Sequence, residues 1–95
     1  MTSQAFITED YLTTVDEIAA YLDAALEDGD DAVMLQALRQ VANKTGGMTQ
    51  LAKDAHLNRV SLYRALSANG NPKLDTLTAV LKTMGLRLSV ARVSH

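Results

Sequence analysis

Apolar side chains recur every three or four residues along most of the chain, which is the spacing of amphipathic helices rather than of strands. The first such segment begins at Thr14, which together with Glu17 has the spacing of a capping box. The apolar residues that follow fall on one helical face: Val15, Ile18, Ala19, Leu22 and Leu26. We therefore expect a first helix that runs to about Asp28 and is stopped by Gly29.

A second helix is expected to follow at once, because Asp30 or Asp31 can cap its first turn with a carboxylate. Its inward-facing side chains are expected to be Met34, Leu35, Leu38, Val41 and Ala42. The pair Gly46-Gly47 is expected to end this helix, since glycine accepts the backbone conformation found just past a helix C-terminus.

Two short helices with a tight break between them are predicted next. Thr49 is expected to cap the first, residues 56–58 interrupt it, and the second runs from Arg59 to about Ala68. Residues 69–72 read Asn-Gly-Asn-Pro and predict a loop, because proline blocks helix continuation while glycine and asparagine tolerate left-handed backbone. Two short helices joined in this way are typical of a helix-turn-helix.

The apolar pattern of the remaining residues predicts one more helix and a strand. The last helix has Leu74, Leu77, Val80, Leu81 and Met84 on one side and Gly85 at its end. Residues 86–93 alternate imperfectly between apolar and polar side chains, which indicates a strand. An isolated strand is not stable in water, so its partner is either residues 3–7 or the same segment of a second subunit. We favour the second subunit, because helix-turn-helix dimers place two helices in successive major grooves.

Length and composition fit a single domain that spans residues 1–95. The chain has 95 residues, of which 47% are hydrophobic, which is enough for one core but not for two. It contains no cysteine, so a zinc site would need His56, His95 and carboxylates, and we expect neither a metal nor a cofactor. No apolar run is long enough for a bilayer and no secretory signal is visible at the start, so we expect a cytoplasmic protein without a membrane partner.

The net charge of −2 hides two halves of opposite sign. Residues 1–45 contain nine acidic and two basic side chains, whereas residues 46–95 contain seven basic and two acidic ones. A basic half can meet phosphates, while an acidic half suits a basic protein partner. The alternative, that both are ordinary solvated faces, stays open on charge alone.

The segment 48–77 contains a set of residues suited to reading DNA. In a helix-turn-helix the first turns of the second helix point into the major groove, where arginine can take both acceptors of a guanine edge. Asn58 can cap this helix, and the start of the preceding helix suits a phosphate. The predicted DNA-binding residues are Thr49, Gln50, Asn58, Arg59, Val60, Ser61, Tyr63 and Arg64. The alternative is a small helical domain whose exposed arginines only make it soluble.

Several of these segments resemble a known family. Thr49-Gln-Leu-Ala, the helix from Arg59 and Gly70-Asn-Pro are similar to the Cro/repressor-type helix-turn-helix. Together with the block from Ile18 to Asp30 and with Ser61-Leu-Tyr-Arg-Ala-Leu-Ser, they resemble the HigA-type addiction-module antidote proteins. The resemblance covers about residues 10–90. One departure is His56, which stands where that family usually has glycine, at a position that often needs a positive φ.

This resemblance implies an all-α, five-helix, lambda-repressor-like domain with a short C-terminal β-strand. It also implies an antitoxin that represses its own operon as a homodimer on double-stranded operator DNA and neutralises a small basic RelE/HigB-like, mRNA-cleaving toxin. The division of charge agrees with this, and the acidic residues expected to contact the toxin are Asp23, Glu27 and Asp28.

Two other functions stay open at this point. The chain is either a free-standing transcriptional regulator without a toxin, or a protein-interaction module whose helix-turn-helix no longer binds DNA. An enzyme is not expected, because the sequence has no pairing of a nucleophile with a base, no phosphate-cradling glycine loop and no cluster of metal ligands.

Overall fold

A computed structural model describes residues 14–93 of the chain. Within this range it contains five helices: α1 Val15–Glu27, α2 Asp31–Lys44, α3 Met48–Asp54, α4 Arg59–Ala65 and α5 Leu74–Thr83. The five predicted helices are therefore confirmed. None of the described helices is both long enough and apolar enough to cross a membrane.

The helix starts are set by local hydrogen bonds, and most of them match the prediction. The capping box of α1 is formed in both directions, with Thr14 and Glu17 each accepting from the other's backbone amide at 3.1 Å. The Asp30 carboxylate accepts from the Ala32 amide at 2.9 Å and so caps α2. The predicted cap of α3 was wrong: its N-cap is Gly47, whose φ of 93° favours glycine, and Thr49 lies inside the first turn.

The described helices share one cluster of buried apolar residues. α1 packs along α2, and α3 contacts α2, α4 and α5. The large side chains with almost no exposure are Leu38, Val41, Leu62, Leu66 and Val80. The predicted stripe of α1 was too wide, because Val15 and Leu26 are about half exposed while Ile18, Leu22 and Ala25 are buried. A helical period alone does not say how far the neighbouring elements reach around a helix.

The end of the chain differs from the prediction. Gly85, at φ 83°, and Leu86 close α5 with amide hydrogen bonds to the carbonyls of Lys82 and Leu81. Beyond them, the predicted strand over 86–93 is not formed, and within the described part of the chain no backbone hydrogen bond engages residues 87–93. A strand requires a neighbour, and the intrachain candidate, residues 3–7, lies outside the described residues.

Candidate nucleic-acid interface

The turn between α3 and α4 fixes the angle at which the two helices meet. The Leu57 amide donates to the Ala52 carbonyl at 2.8 Å and the His56 amide to the Lys53 carbonyl at 3.3 Å, the hydrogen-bond pair of a Schellman motif. His56 has a φ of 58°. A positive φ was expected here, because the family that the sequence resembles usually has glycine at this position. The imidazole is exposed, and the His56 backbone adopts the left-handed conformation that is usual for glycine.

α4 is anchored from one side only. Leu62 is 1% exposed and Leu66 is fully buried, so this side of the helix lies in the core. The Asn58 side chain caps the helix by accepting from the Ser61 amide at 2.9 Å. α4 ends at Ala65, earlier than predicted, because the Ser67 hydroxyl and amide both donate to the Arg64 carbonyl.

The opposite side of α4 is exposed and contains most of the predicted DNA-binding residues. Val60 is 56% and Tyr63 48% exposed. The Arg59 guanidinium lies over the Tyr63 ring, 6.0 Å from its centroid. The exposed face therefore presents these residues on one helix: Asn58, Arg59, Val60, Ser61, Tyr63 and Arg64. We call it the α4 edge.

The two remaining predicted residues belong to a different helix. Thr49 and Gln50 are exposed in the first turn of α3. The Gln50 amide nitrogen donates to the Asp54 carboxylate at 2.8 Å, and Gln50 borders a shallow cavity next to α1 and α5 rather than the α4 edge. Six of the eight predicted residues thus belong to the α4 edge, and the other two belong to α3.

A polar cleft beside Arg64 was not predicted from the sequence. Its walls come from α4, from the following loop and from the start of α5. The polar side chains on these walls are Ser61, Arg64, Ser67, Asn69, Asn71, Lys73 and Thr76. Lys73 next to the Asn-Gly-Asn-Pro loop was the available signal, because exposed loops beside a rigid helix often contact ligands.

The loop reaches α4 because residue 70 is glycine. A Cβ at this position would lie 2.6 Å from the Ala65 carbonyl carbon and 2.8 Å from the Arg64 carbonyl oxygen. The Gly70 amide also donates to the Ser67 carbonyl at 2.8 Å. The absence of a side chain therefore lets the loop close against the C-terminal end of α4.

The acidic residues predicted to contact a toxin lie within residues 1–45, the acidic half of the chain. Asp23, Glu27 and Asp28 are all exposed at or near the C-terminal end of α1. The last turn of this helix contains no basic residue. Carboxylates at a helix C-terminus face the negative end of the helix dipole, so they do not stabilise α1.

Tyr21 of α1 is partly buried and contacts α2. Burial raises the pKa of Tyr21, whose hydroxyl donates to the Gln40 amide oxygen of α2. Within residues 14–93 no group of three or more His, Cys, Asp or Glu side chains is placed to hold a metal ion.

Comparisons with known proteins extend over nearly the whole chain. A family model described as "Probable addiction module antidote protein" matches residues 2–92. A protein of Haemophilus influenzae, described as uncharacterized, is 37% identical over 85 residues, which cover 90% of this chain and 87% of that protein. No solved structure matches the chain.

Proposed function

This chain belongs to the family of probable addiction module antidote proteins, and we propose that it is the antitoxin of a toxin–antitoxin pair that binds its own operator through the α4 edge. An antidote is a regulatory binding protein, which agrees with the prediction that the chain is not an enzyme. Residues 46–95 are proposed to bind DNA and residues 1–45 to contact the toxin.

The exposed α4 edge is the observation that carries the proposal for DNA. Leu62 and Leu66 bury one side of α4, so the other side is held outward on a rigid support. Arg59 and Arg64 then provide planar donors for guanine edges or phosphates. Val60 suits a thymine methyl group, because it is apolar and more than half exposed.

The cleft beside Arg64 extends this surface toward the DNA backbone. Lys73 and the hydroxyl and amide side chains of Ser67, Asn71 and Thr76 share it with Arg64. Phosphate contacts of this kind set the register of a protein on a duplex, while base contacts set its sequence preference. We therefore propose that Arg59 and Arg64 read bases and that Lys73 contacts a phosphate.

DNA binding is tested by fluorescence anisotropy with a labelled duplex from upstream of the chain's own gene. Arg64→Ala is expected to weaken binding by about 1–3 kcal/mol and to relax the preference for one base position. Lys73→Ala is expected to weaken all sequences alike and to reduce the slope of affinity against salt by about one. Lys82→Ala removes an exposed charge near the other end of α5 and serves as the control. Equal effects of Arg64→Ala and Lys82→Ala would contradict the proposal.

The toxin is proposed to be a small basic RelE/HigB-like ribonuclease that docks on the acidic end of α1. The position of Glu27 and Asp28 supports this. Carboxylates at a helix C-terminus do not stabilise α1, so a role in binding a partner would account for them. An acidic surface would attract the cationic, RNA-binding face expected of such a toxin.

Growth rescue and co-purification with the product of the neighbouring small basic reading frame test this part. The pair Glu27→Lys and Asp28→Lys is expected to weaken toxin capture and to leave operator binding intact. Asp75→Lys, which reverses an exposed carboxylate of α5, is the control for a charge reversal outside α1; its folding is checked by circular dichroism, because Asp75 lies in the first turn of its helix, where a carboxylate is stabilising. Unchanged capture by the double variant would move the interface elsewhere, and failure of both rescue and co-purification by the unchanged chain would favour a free-standing regulator.

We also propose a homodimer in which residues 87–93 of two copies pair as antiparallel strands. The backbone of this segment is unpaired within the described residues, and Val90 is 98% exposed. The segment borders an apolar groove with Leu26 of α1 and Leu81 of α5, so a second copy would cover apolar surface as well as a strand edge.

The absence of cysteine makes this dimer easy to test. Cysteine placed in turn at each position from 87 to 93 is expected to form a disulfide-linked dimer at one position, where the two strands cross the symmetry axis, and not at its neighbours. Asp75→Cys serves as the control. A monomer in sedimentation, with no preferred crosslinking position, would contradict the dimer but not the antitoxin.

A further inference from the structure

A side chain of α2 holds the C-terminal end of α4. Arg39, which is half-buried, donates from Nη1 to the carbonyl oxygen of Leu66, the C-cap residue of α4. The two residues are 27 positions apart in the sequence. Most other side-chain hydrogen bonds of the described residues are local, such as that from Thr78 to the Leu74 carbonyl. Arg39 therefore makes a tertiary contact at the helix proposed to read DNA.

This contact supplies what the apolar packing of α4 lacks. α4 has only seven residues and packs chiefly against α3, through a side that includes Leu62 and Leu66. Apolar burial is non-directional, so it fixes how deep a short helix sits better than how it is rotated or tilted. A hydrogen bond from a planar guanidinium to one carbonyl is directional, and a cation is favoured at the negative end of a helix.

The position of the contact matters for the α4 edge. The carbonyl groups of the last turn have no partner within their own helix, so an external donor can hold them without competing with the helix. Arg64 lies two residues before Leu66, and the carbonyls of both residues are engaged, by Ser67 and Arg39 respectively. A change in the direction of this last turn would therefore move the Arg64 side chain, which is long and exposed.

The geometry points to Arg39 as a positioning residue that sets the orientation of the α4 edge without contacting DNA. This role rests on the proposed function, which identifies DNA as the ligand of α4. It assigns a role to a residue in the acidic half of the chain, outside the helix-turn-helix.

The chain offers a closely matched control. Gln40, the next residue of α2, also takes part in a hydrogen bond between helices, but its partner is the Tyr21 hydroxyl of α1. Gln40→Ala thus removes a neighbouring tertiary contact that does not involve α4. Arg39→Met keeps an unbranched side chain of similar reach and removes all donors, whereas Arg39→Lys keeps the charge and loses the planar fork.

Hydrogen exchange tests the effect on α4 without any DNA. In Arg39→Met, exchange of the Leu66 amide, which donates to the Leu62 carbonyl, is expected to accelerate about tenfold relative to the Ile18 amide of α1. Gln40→Ala is expected to leave this ratio unchanged, and Arg39→Lys is expected to fall between the two. Equal acceleration in α1 and α4, or complete unfolding of Arg39→Met while Gln40→Ala folds, would assign Arg39 to global stability and overturn the inference.

Operator binding provides the second readout. Arg39→Met is expected to lose about tenfold in affinity for the operator, the size of effect expected for a lost hydrogen bond from a charged group, and about twofold or less for a scrambled duplex. An equal loss on both duplexes would indicate a lost phosphate contact and contradict a positioning role. If the unchanged chain showed no preference for the operator, the proposed function would fail, while the exchange measurement would still decide whether Arg39 orients α4.

Discussion

Replacing Gly70 by alanine is expected to destabilise the protein more than its position in a loop suggests. The added Cβ would lie 2.8 Å from the Arg64 carbonyl oxygen and closer still to the Ala65 carbonyl group. Unstrained contacts between carbon and oxygen are roughly 3.3–3.6 Å, so the loop must move by at least about half an ångström. Both partners are backbone atoms at the end of α4, and they cannot turn aside as a flexible side chain would.

The magnitude follows from two opposing effects. Forcing an extra methyl group into a close-packed site costs about 1–3 kcal/mol of unfolding free energy. Replacing glycine also restricts the unfolded chain, which returns about 0.4–1 kcal/mol. The upper end of the first range applies because both contacts are with backbone atoms, so we expect a net loss of about 2 kcal/mol, which in a domain of this size lowers the Tm by roughly 8–16 °C.

Gly29→Ala is the matched control for thermal and urea unfolding followed by circular dichroism. Gly29 has a φ of 84°, but a Cβ there would meet nothing within 4 Å. Its replacement brings only the left-handed backbone strain of about 1–2 kcal/mol, again partly offset in the unfolded state. A Gly70→Ala variant that melts within about 3 °C of the unchanged chain, or no lower than Gly29→Ala, would refute the close approach of the loop to α4.

Three further substitutions test the core, the turn and the ionisation of Tyr21. Leu38→Ala should reduce the free energy of unfolding, measured in urea, by about 2–5 kcal/mol, because Leu38 is fully buried. Leu74→Ala is the control and should change it by no more than about 0.5 kcal/mol, because Leu74 is 70% exposed. Similar losses in both variants would contradict the described core. His56→Gly should raise stability by about 0.5–1 kcal/mol, because it relieves left-handed strain at φ 58° and gives back part of that gain in the unfolded state; a loss would contradict this. Burial raises the pKa of Tyr21, so the unfolded chain releases this proton first and stability falls as the pH rises past about 10. Tyr21→Phe should lack this part of the decline in urea midpoints above about pH 10, and an equal decline in both proteins would count against the assignment.

Local features of the fold were predictable because they depend on neighbours in the sequence. The Thr14 capping box and the Asp30 cap each involve residues a few positions apart, whereas the positive φ of His56 was expected only from the resemblance to a family that usually has glycine there. Thr49 was misassigned for a related reason, since threonine is a common cap but Gly47 supplies the backbone conformation that the start of α3 adopts. The strand over 86–93 could not be settled in this way, because a strand is defined by a partner that the pattern does not identify.

The candidate site was predictable to the extent that it lies on one helix. Arg59, Val60 and Arg64 share an exposed face because Leu62 and Leu66 define the buried one, and this follows from helical spacing. The residues that complete the cleft come from a loop whose path is not periodic, so spacing could not assign Lys73 or Thr76 to the same surface.

The order of apolar residues, caps and glycines by itself determined the five helices within residues 14–93 and which side of α4 faces outward, because helix formation responds to residues within one or two turns. Only the tertiary structure decided that Arg39 reaches Leu66 and that Gly70 closes against Ala65. Contacts of this kind depend on the distance and angle between packed elements, and these are set by the combined shapes of many side chains.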